Sequence, residues 1–240
     1  MYYKNFDNSF DENKKNNLTV ILLAKNEKQN LIQTNILSEL QKYTNELIII
    51  DGHSEDGTYE YAMQFSKDVY KDNKKGKGDA IRMAGEIATK DVLIFIDADG
   101  SHDPNDIPKI VNPIFNNEYD HITGSRTLGG SDEYFGSFEK FLRVTGSHII
   151  LLLINYRFKK DLTDSQNGFR AIKRSVFIDL GLEENITSIE QEMIIKTLKK
   201  GYTLGEVPAH EYQRISGESK ISLSKVSFRY VYSCLKNLYF

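Results

Sequence analysis

The chain has 240 residues, 40% of them hydrophobic, and 31 Lys and Arg against 34 Asp and Glu leave a formal net charge of −3. That length supports one substantial core without staples, and the near-balanced charge excludes bulk nucleic-acid binding, which needs many excess cations on one face. The single cysteine, Cys234, excludes an intramolecular disulfide framework and suits a reducing compartment.

Residues 1–17, MYYKNFDNSFDENKKNN, read as a polar tail without an export signal. Apolar runs of strand length follow at 18–24, 46–51 and 92–97, and helical patterns over 30–43, 57–66 and 79–88 separate them. Such alternation predicts an α/β fold: a mostly parallel, Rossmann-like sheet flanked by helices in a single domain over 18–220. Functional loops should then gather beyond the C-terminal strand ends, at Lys25-Asn26-Glu27, Asp51-Gly52-His53-Ser54 and Asp97-Ala98-Asp99. After residues 121–124 the alternation weakens, as expected of a mixed second half. The aliphatic run at 149–154 is too short to span a bilayer, which takes about 20 residues. Residues 221–240 read as a C-terminal amphipathic helix, with Phe228, Val231, Tyr232, Leu235, Leu238 and Tyr239 at helical spacing beside Lys225, Arg229 and Lys236. Such a helix can lie on anionic lipid or pack on the core or a membrane-anchoring partner subunit.

The segment VLIFIDADGSHD, residues 92–103, ends a buried strand in two aspartates one residue apart. Side chains at i and i+2 of an extended segment share a face, so Asp97 and Asp99 are expected to converge on one divalent cation, Mg2+ or Mn2+, that holds a diphosphate.

Several motifs in one order, from about residue 18 to 220, resemble family-two glycosyltransferases of GT-A fold, specifically the polyprenyl-phosphate (dolichol-phosphate) mannose and hexose synthases. LLAKNE resembles P-x-x-N-E, with Leu23 in place of proline, and implies that Asn26 and Glu27 contact the nucleotide. IDGHSEDGT resembles D-D-G-S-x-D-G-T, with Gly52 in place of the second aspartate, and implies a base contact from Asp51; Ser54, Asp56 and Thr58 are expected to cap a helix. Lys74-Lys75-Gly76-Lys77-Gly78 resembles a G-K-G loop in which Lys77 neutralises nucleotide phosphate and the glycines allow close backbone approach. The resemblance makes Asp97, Ala98 and Asp99 the D-x-D site on the nucleotide sugar, with Asp99 a direct metal ligand. Ser101 stands where many members carry a third ligand, Gln, and His102 beside it reads as a loop histidine.

In the second half, Gly124-Ser125-Arg126 resembles G-S-R, and Arg143 with Ser147 resembles an R-x-x-x-S helix; both imply an acceptor-phosphate site. Thr163 to Arg170, TDSQNGFR, resembles D-x-x-S-G-F-R with Asn167 in the serine position and implies Asp164 near the reacting sugar. Arg214-Ile215-Ser216-Gly217-Glu218-Ser219-Lys220 resembles R-x-x-G-x-S-K, whose Arg214 and Lys220 close over diphosphate and acceptor. The implied reaction is inverting, metal-dependent hexosyl transfer, mannose or glucose, from a GDP- or UDP-linked donor to a polyprenyl phosphate at the cytoplasmic face of a membrane. An anionic acceptor needs positioning by Arg126 and its neighbours more than a strong base, which leaves Asp164 to orient. Alternatives are a GT-A enzyme acting on a sugar hydroxyl of a lipid-linked glycan, for which Asp164 becomes an indispensable base, a nucleotidyltransferase, and a non-catalytic sugar-nucleotide-binding subunit.

Overall fold

Strands β1 (Leu18–Ala24), β2 (Glu46–Asp51), β3 (Asp68–Lys71), β4 (Val92–Asp97), β5 (His121–Ser125), β6 (Arg170–Lys173) and β7 (Leu204–Pro208) form one sheet in the order β3-β2-β1-β4-β6-β5-β7. This computed structural model describes residues 7–133, 138–214 and 223–239. The first four strands pair in parallel, β6 runs antiparallel to both β4 and β5, and β5 pairs in parallel with β7. The mixed second half expected from the sequence therefore comes from one reversed strand.

The helices are α1 (Glu12–Asn16), α2 (Lys28–Thr34), α3 (Ile36–Leu40), α4 (Thr58–Ala62), α5 (Lys77–Ile87), α6 (Ile107–Phe115), α7 (Arg126–Gly129), α8 (Phe138–Phe158), α9 (Arg174–Asp179), α10 (Ile189–Lys199) and α11 (Leu223–Tyr239). The central strands are apolar on both faces because helices cover both. Leu18, Val20 and Leu22 of β1 with Val92, Ile94 and Ile96 of β4 pack toward α2, α3, α4 and α6. Ile21, Leu93 and Phe95 pack the other way, toward α5, α9 and α10. A third cluster joins α8, α10 and α11 through Ile150, Ile154, Ile194, Cys234 and Leu238.

Three local features differ from the sequence reading. The helix expected over 30–43 breaks into α2 and α3 at Asn35, whose φ of 49° is the left-handed conformation that asparagine tolerates. The polar segment before β1 carries α1 and packs on the body, with Phe10 edge-on to Tyr43 at 5.4 Å and Asn112 Nδ2 donating to the Ser9 carbonyl at 2.9 Å. Strand β4 ends at Asp97, so Asp99 lies in a turn and the shared-face rule for extended residues does not govern the pair.

Candidate active site

Alternation along β4 sets the direction of Asp97. Leu93 and Phe95 face α5 and α10, and Asp97 continues that parity toward the N-terminal ends of the same helices. There Lys77 Nζ donates to Asp97 Oδ2 at 2.8 Å and lies 3.0 Å from Glu190 Oε1. Burial opposes charge on Lys77, but the two carboxylates outweigh it and hold the ammonium pKa above its ordinary value. Burial likewise pushes the Asp97 carboxyl up, and Lys77 more than reverses that. A Cβ on Gly168 would stand 2.8 Å from Asp97 Oδ2 and 3.0 Å from Lys77 Nζ, so the 163–170 loop crosses this pair where only glycine fits. Lys77 thus bridges two acids, and the glycines around it serve the protein's own backbone. Gly78 and Asp79 amides both donate to the Asn185 carbonyl, at 2.8 and 3.3 Å, and a Cβ at Gly76 or Gly78 would strike residues 184–186. The close backbone approach that these glycines allow is made to that loop.

Asp99 is 5% exposed. Its Oδ1 accepts from the Ser101 amide at 3.0 Å and the Ser101 hydroxyl at 2.6 Å, while Oδ2 pairs with Arg214 Nη2 at 2.9 Å. The Tyr212 amide donates to the Ser101 carbonyl at 2.9 Å, which ties the segment bearing Arg214 to the D-x-D turn. Ala98, buried between the acids, donates its amide to the Leu23 carbonyl at 3.1 Å and anchors the turn to β1. His102 is buried, stacked on Phe169 at 5.0 Å, with no partner for Nδ1. Burial lowers its pKa against the pull of Asp97 and Asp99, so it stands beside the acids as a neutral imidazole.

The residues of the first half expected to face the nucleotide come together at the ends of β1 and β2, held by each other. Asn26 donates its amide to Ser54 Oγ at 2.8 Å and accepts at Oδ1 from the Glu55 amide at 2.9 Å. The Glu27 amide donates to Thr58 Oγ1 at 2.9 Å, and the Lys28 amide to Asp56 Oδ2 at 3.1 Å. Ser54, Asp56 and Thr58, expected as simple helix caps, therefore clamp the β1–α2 loop to the β2–α4 loop. Asp51 is fully buried; Oδ2 accepts from the Ser54 amide at 2.9 Å and Oδ1 has no partner. Lys25 lies over Gly52, its side-chain carbons 3.1 Å from where a Cβ would stand, in the space the family's second aspartate would take.

At the end of β5, Arg126 meets Asp164 through two parallel bonds, Nε to Oδ2 at 2.6 Å and Nη2 to Oδ1 at 3.0 Å. Nη1 reaches Glu211 Oε1 at 3.3 Å. Arg126 therefore enters the site paired with two acids. Burial pushes the Asp164 carboxyl up, but Arg126 and the Gln166 and Arg126 amides hold it below the usual carboxylate range. That is the wrong direction for a general base. Ser147 Oγ donates to Gln166 Oε1 at 2.9 Å and joins α8 to the same loop. The Arg143 side chain and Lys220 lie outside the described residues. Arg170 is structural: it is buried, donates to the Asn167 and Glu190 carbonyls, and burial brings its pKa down to about 10.

Among the described residues, ion pairs link five carboxylates (Asp97, Asp99, Asp164, Glu190, Glu211) and three cations (Lys77, Arg126, Arg214) at this end of the sheet. They form three groups, Lys77 with Asp97 and Glu190, Arg214 with Asp99, and Arg126 with Asp164 and Glu211, and the buried Arg170 guanidinium acts on Asp97, Asp164 and Glu190 as well. No group of three or more His, Cys, Asp or Glu side chains that could hold a metal is present among the described residues. Two carboxylates with a hydroxyl alongside suit a hard cation that completes its shell with substrate oxygens. Glu206 and Glu211 were not picked out as site residues by sequence reasoning, because their partners lie on distant segments and no local spacing marks them; the acidic segment at Glu190 and Glu192 resembles one in the family and reads equally well as a solvated helix start.

The family profile "Glycosyl transferase family 2" matches residues 19–181. The chain belongs to that family. Among relatives in the family, Glycosyltransferase AglJ of Haloferax volcanii is 32% identical over 172 residues, 71% of this chain and 55% of that one. The Dolichol-phosphate mannosyltransferase of Pyrococcus furiosus is 30% identical over 222 residues, 89% of this chain and 61% of that one. The chain thus spans little more than half the length of these two relatives. A Dolichyl-phosphate hexose transferase of Haloferax volcanii is 26% identical, with 85% of this chain and 86% of that one covered. In fold, the chain is similar to glucosyl-3-phosphoglycerate synthase from Mycobacterium tuberculosis, crystallised with Mg2+ and uridine diphosphate, at TM-score 0.74 and 17% identity over 99% of this chain and 85% of that one. The seven-stranded, mostly parallel sheet is the GT-A architecture that the sequence implied.

Proposed function

We propose that the chain is a divalent-cation-assisted hexosyltransferase that moves a sugar from a GDP- or UDP-linked donor to a polyprenyl phosphate of the dolichyl type at a membrane surface. The observation that carries this reading is the turn after β4, which sets Asp97 against Lys77 and Asp99 against Ser101 and Arg214 at the C-terminal end of the sheet. Asp97 and Asp99, with Ser101 Oγ 2.6 Å from Asp99 Oδ1, would hold Mg2+ or Mn2+. The bound ion offsets charge that develops on the departing diphosphate. Fold neighbours crystallised with Mg2+ or Mn2+ and uridine diphosphate support this assignment. Asn26, Glu27, Asp51, Lys77 and Ala98 build the wall against which the nucleotide sugar is read, Lys77 by fixing Asp97.

The acceptor assignment is supported by relatives named for dolichyl or dolichol phosphate. A phosphate monoester is already anionic, so it needs alignment against the repulsion of the donor diphosphate. Arg126, Arg143, Ser147, Arg214 and Lys220 are the residues proposed to align it. Asp164 keeps the Arg126 guanidinium oriented; its depressed pKa disfavours the hydroxyl-acceptor alternative, which needs a base.

No helix among the described residues is long and apolar enough to cross a membrane. Helices α8 and α11 instead bury one stripe in a shared cluster and expose another: Ile149, Leu152 and Tyr156 on α8, Val231, Tyr232, Leu235 and Tyr239 on α11. Exposed Arg157, Lys159, Lys160 and Arg229 flank these stripes. Apolar and tyrosine side chains edged by cations suit the interface of an anionic bilayer. Leu238, one of the apolar positions at helical spacing, packs inward beside Cys234, and Lys236 pairs with Glu183 at 2.7 Å, so α11 both docks on the body and presents a face. This arrangement supports a peripheral enzyme at the cytoplasmic membrane face. The reading is tested by incubating the full chain with Mn2+, a panel of nucleotide sugars and a short polyprenyl phosphate. It predicts transfer of label into the organic phase with stoichiometric release of nucleoside diphosphate. Release of pyrophosphate, or label passing only to hydroxyl acceptors, would refute it.

A further inference from the structure

Glu206 is 1% exposed on β7, and sequence reasoning gave it no role. The parity of β7 places it on the side of Leu204, opposite Val207, toward the loop that follows α8. Its carboxylate gathers that loop. The Thr163 amide lies 3.0 and 2.8 Å from its two oxygens, the Asp164 amide donates to Oε1 at 2.8 Å, and Thr163 Oγ1 donates to Oε2 at 3.1 Å. The fixed turn aims Asp164, whose Oδ2 accepts from both the Arg126 amide at 3.2 Å and Arg126 Nε at 2.6 Å. Three separate segments are thereby locked in series: β7 to the 163–164 turn, the turn to the start of α7.

We infer that Glu206 is a positioning residue, which sets the orientation of the Arg126 guanidinium by holding the Thr163 and Asp164 amides at the reach of a glutamate side chain. This rests on the proposed function only for what Arg126 then serves. Two buried backbone N–H groups need an acceptor wherever the turn sits, and Oε1 alone can satisfy both. The second oxygen faces a hydroxyl that can reverse, because Thr163 Oγ1 is also 2.6 Å from Ser125 Oγ and either can donate. Reach therefore matters more than charge. Burial raises the Glu206 pKa to about 7, consistent with a site that accommodates the neutral side chain.

Two variants separate reach from charge. Glu206→Asp keeps the carboxylate but withdraws it by one methylene; Glu206→Gln keeps Oε1 in place and removes the charge. The primary readout is solvent exchange of the Arg126 Nε–H resonance in 1H–15N spectra, assigned by its loss in Arg126→Lys. It reports the Arg126–Asp164 bond whatever the enzyme glycosylates. We expect exchange at least tenfold faster in Glu206→Asp and within about threefold of wild type in Glu206→Gln. A core variant remote from the site, Ile110→Val, serves as the control for general loosening. Where wild type transfers sugar to polyprenyl phosphate, Glu206→Asp should raise the acceptor KM with the donor KM unchanged. Unaltered exchange in Glu206→Asp, equal acceleration in Glu206→Gln, or matching acceleration in Ile110→Val would overturn the inference. Failure of the lipid-phosphate reading would show instead as absent turnover in wild type with the exchange pattern intact.

Discussion

Lys77 Nζ sits 2.8 Å from Asp97 Oδ2, and the same ammonium is 3.0 Å from the almost fully buried Glu190. One cation thus bridges two acids at the point where β4 opens onto the site. Replacing it by an apolar chain of similar length, Lys77→Met, takes the paired cation away from both carboxylates. Breaking one side of a buried pair costs about 3–5 kcal/mol; the partial exposure of Lys77 and Asp97 reduces that to roughly 2–3 kcal/mol. Urea unfolding measures the loss, and adding Glu190→Gln to Lys77→Met should recover part of it. A double variant no more stable than Lys77→Met would show that Glu190 does not depend on this cation.

Asp164 and Asp99 carry different duties, so their amide variants should fail differently. Asp164→Asn retains one acceptor for Arg126 and is expected to lose roughly 10- to 100-fold, mainly in the acceptor KM. Asp99→Asn removes a proposed cation ligand and should lower kcat by about 10³-fold or more, the scale of a lost electrostatic stabiliser. Steady-state kinetics with each substrate varied in turn separates the two. Equal losses confined to kcat would make Asp164 a base and favour a hydroxyl acceptor.

Glu206 gives stability a slope with pH. Its folded pKa of about 7 lies above the ordinary glutamate value of 4.5 because burial disfavours the ionised form. Between those values the folded chain binds more protons than the unfolded one, so stability falls as pH rises from about 4.5 to 7 and then levels. The total is ~3 kcal/mol at 1.36 kcal/mol per pKa unit. The difference in unfolding free energy between wild type and Glu206→Gln, measured at pH 5 and at pH 8, should therefore shift by that order, wild type losing at the higher pH. A difference independent of pH would contradict it.

The outward stripes of α8 and α11 make a prediction about lipid. Leu152→Glu and Leu235→Glu each remove an apolar contact worth about 1.5–3 kcal/mol when fully buried, so each should lower the fraction bound to anionic vesicles several-fold without changing the fold. Neutral vesicles should bind wild type more weakly than anionic ones. If both variants co-sediment as wild type does, while wild type forms a dimer that they lose, the face belongs to a second copy of the chain.

Legibility followed burial and sequence distance. Strands β1, β2 and β4 were plain because a parallel strand covered on both faces reads as an unbroken apolar run. Strands β3, β6 and β7, with the sequences DVYK, RAIK and LGEVP, are four or five residues long and carry charges, so no periodicity could emerge. The D-x-D pair was evident from local spacing. The partners that set its electrostatics were not: Glu190 lies more than a hundred residues from Lys77 and reaches it because α10 and α5 share one face of the sheet. Glycines at 76 and 78 carried a correct signal of close approach, whose object, the 184–186 backbone, is visible only in three dimensions.

The proposed cation is tested most directly by electron paramagnetic resonance of Mn2+ titrated into the full chain with uridine or guanosine diphosphate. Asp97 and Asp99 as the cation's ligands predict one ion bound per chain in the presence of nucleotide, weakened at least tenfold in Asp97→Asn and in Asp99→Asn. Binding that both variants retain at wild-type strength, or a wild-type chain that binds nucleotide and no Mn2+, would contradict it.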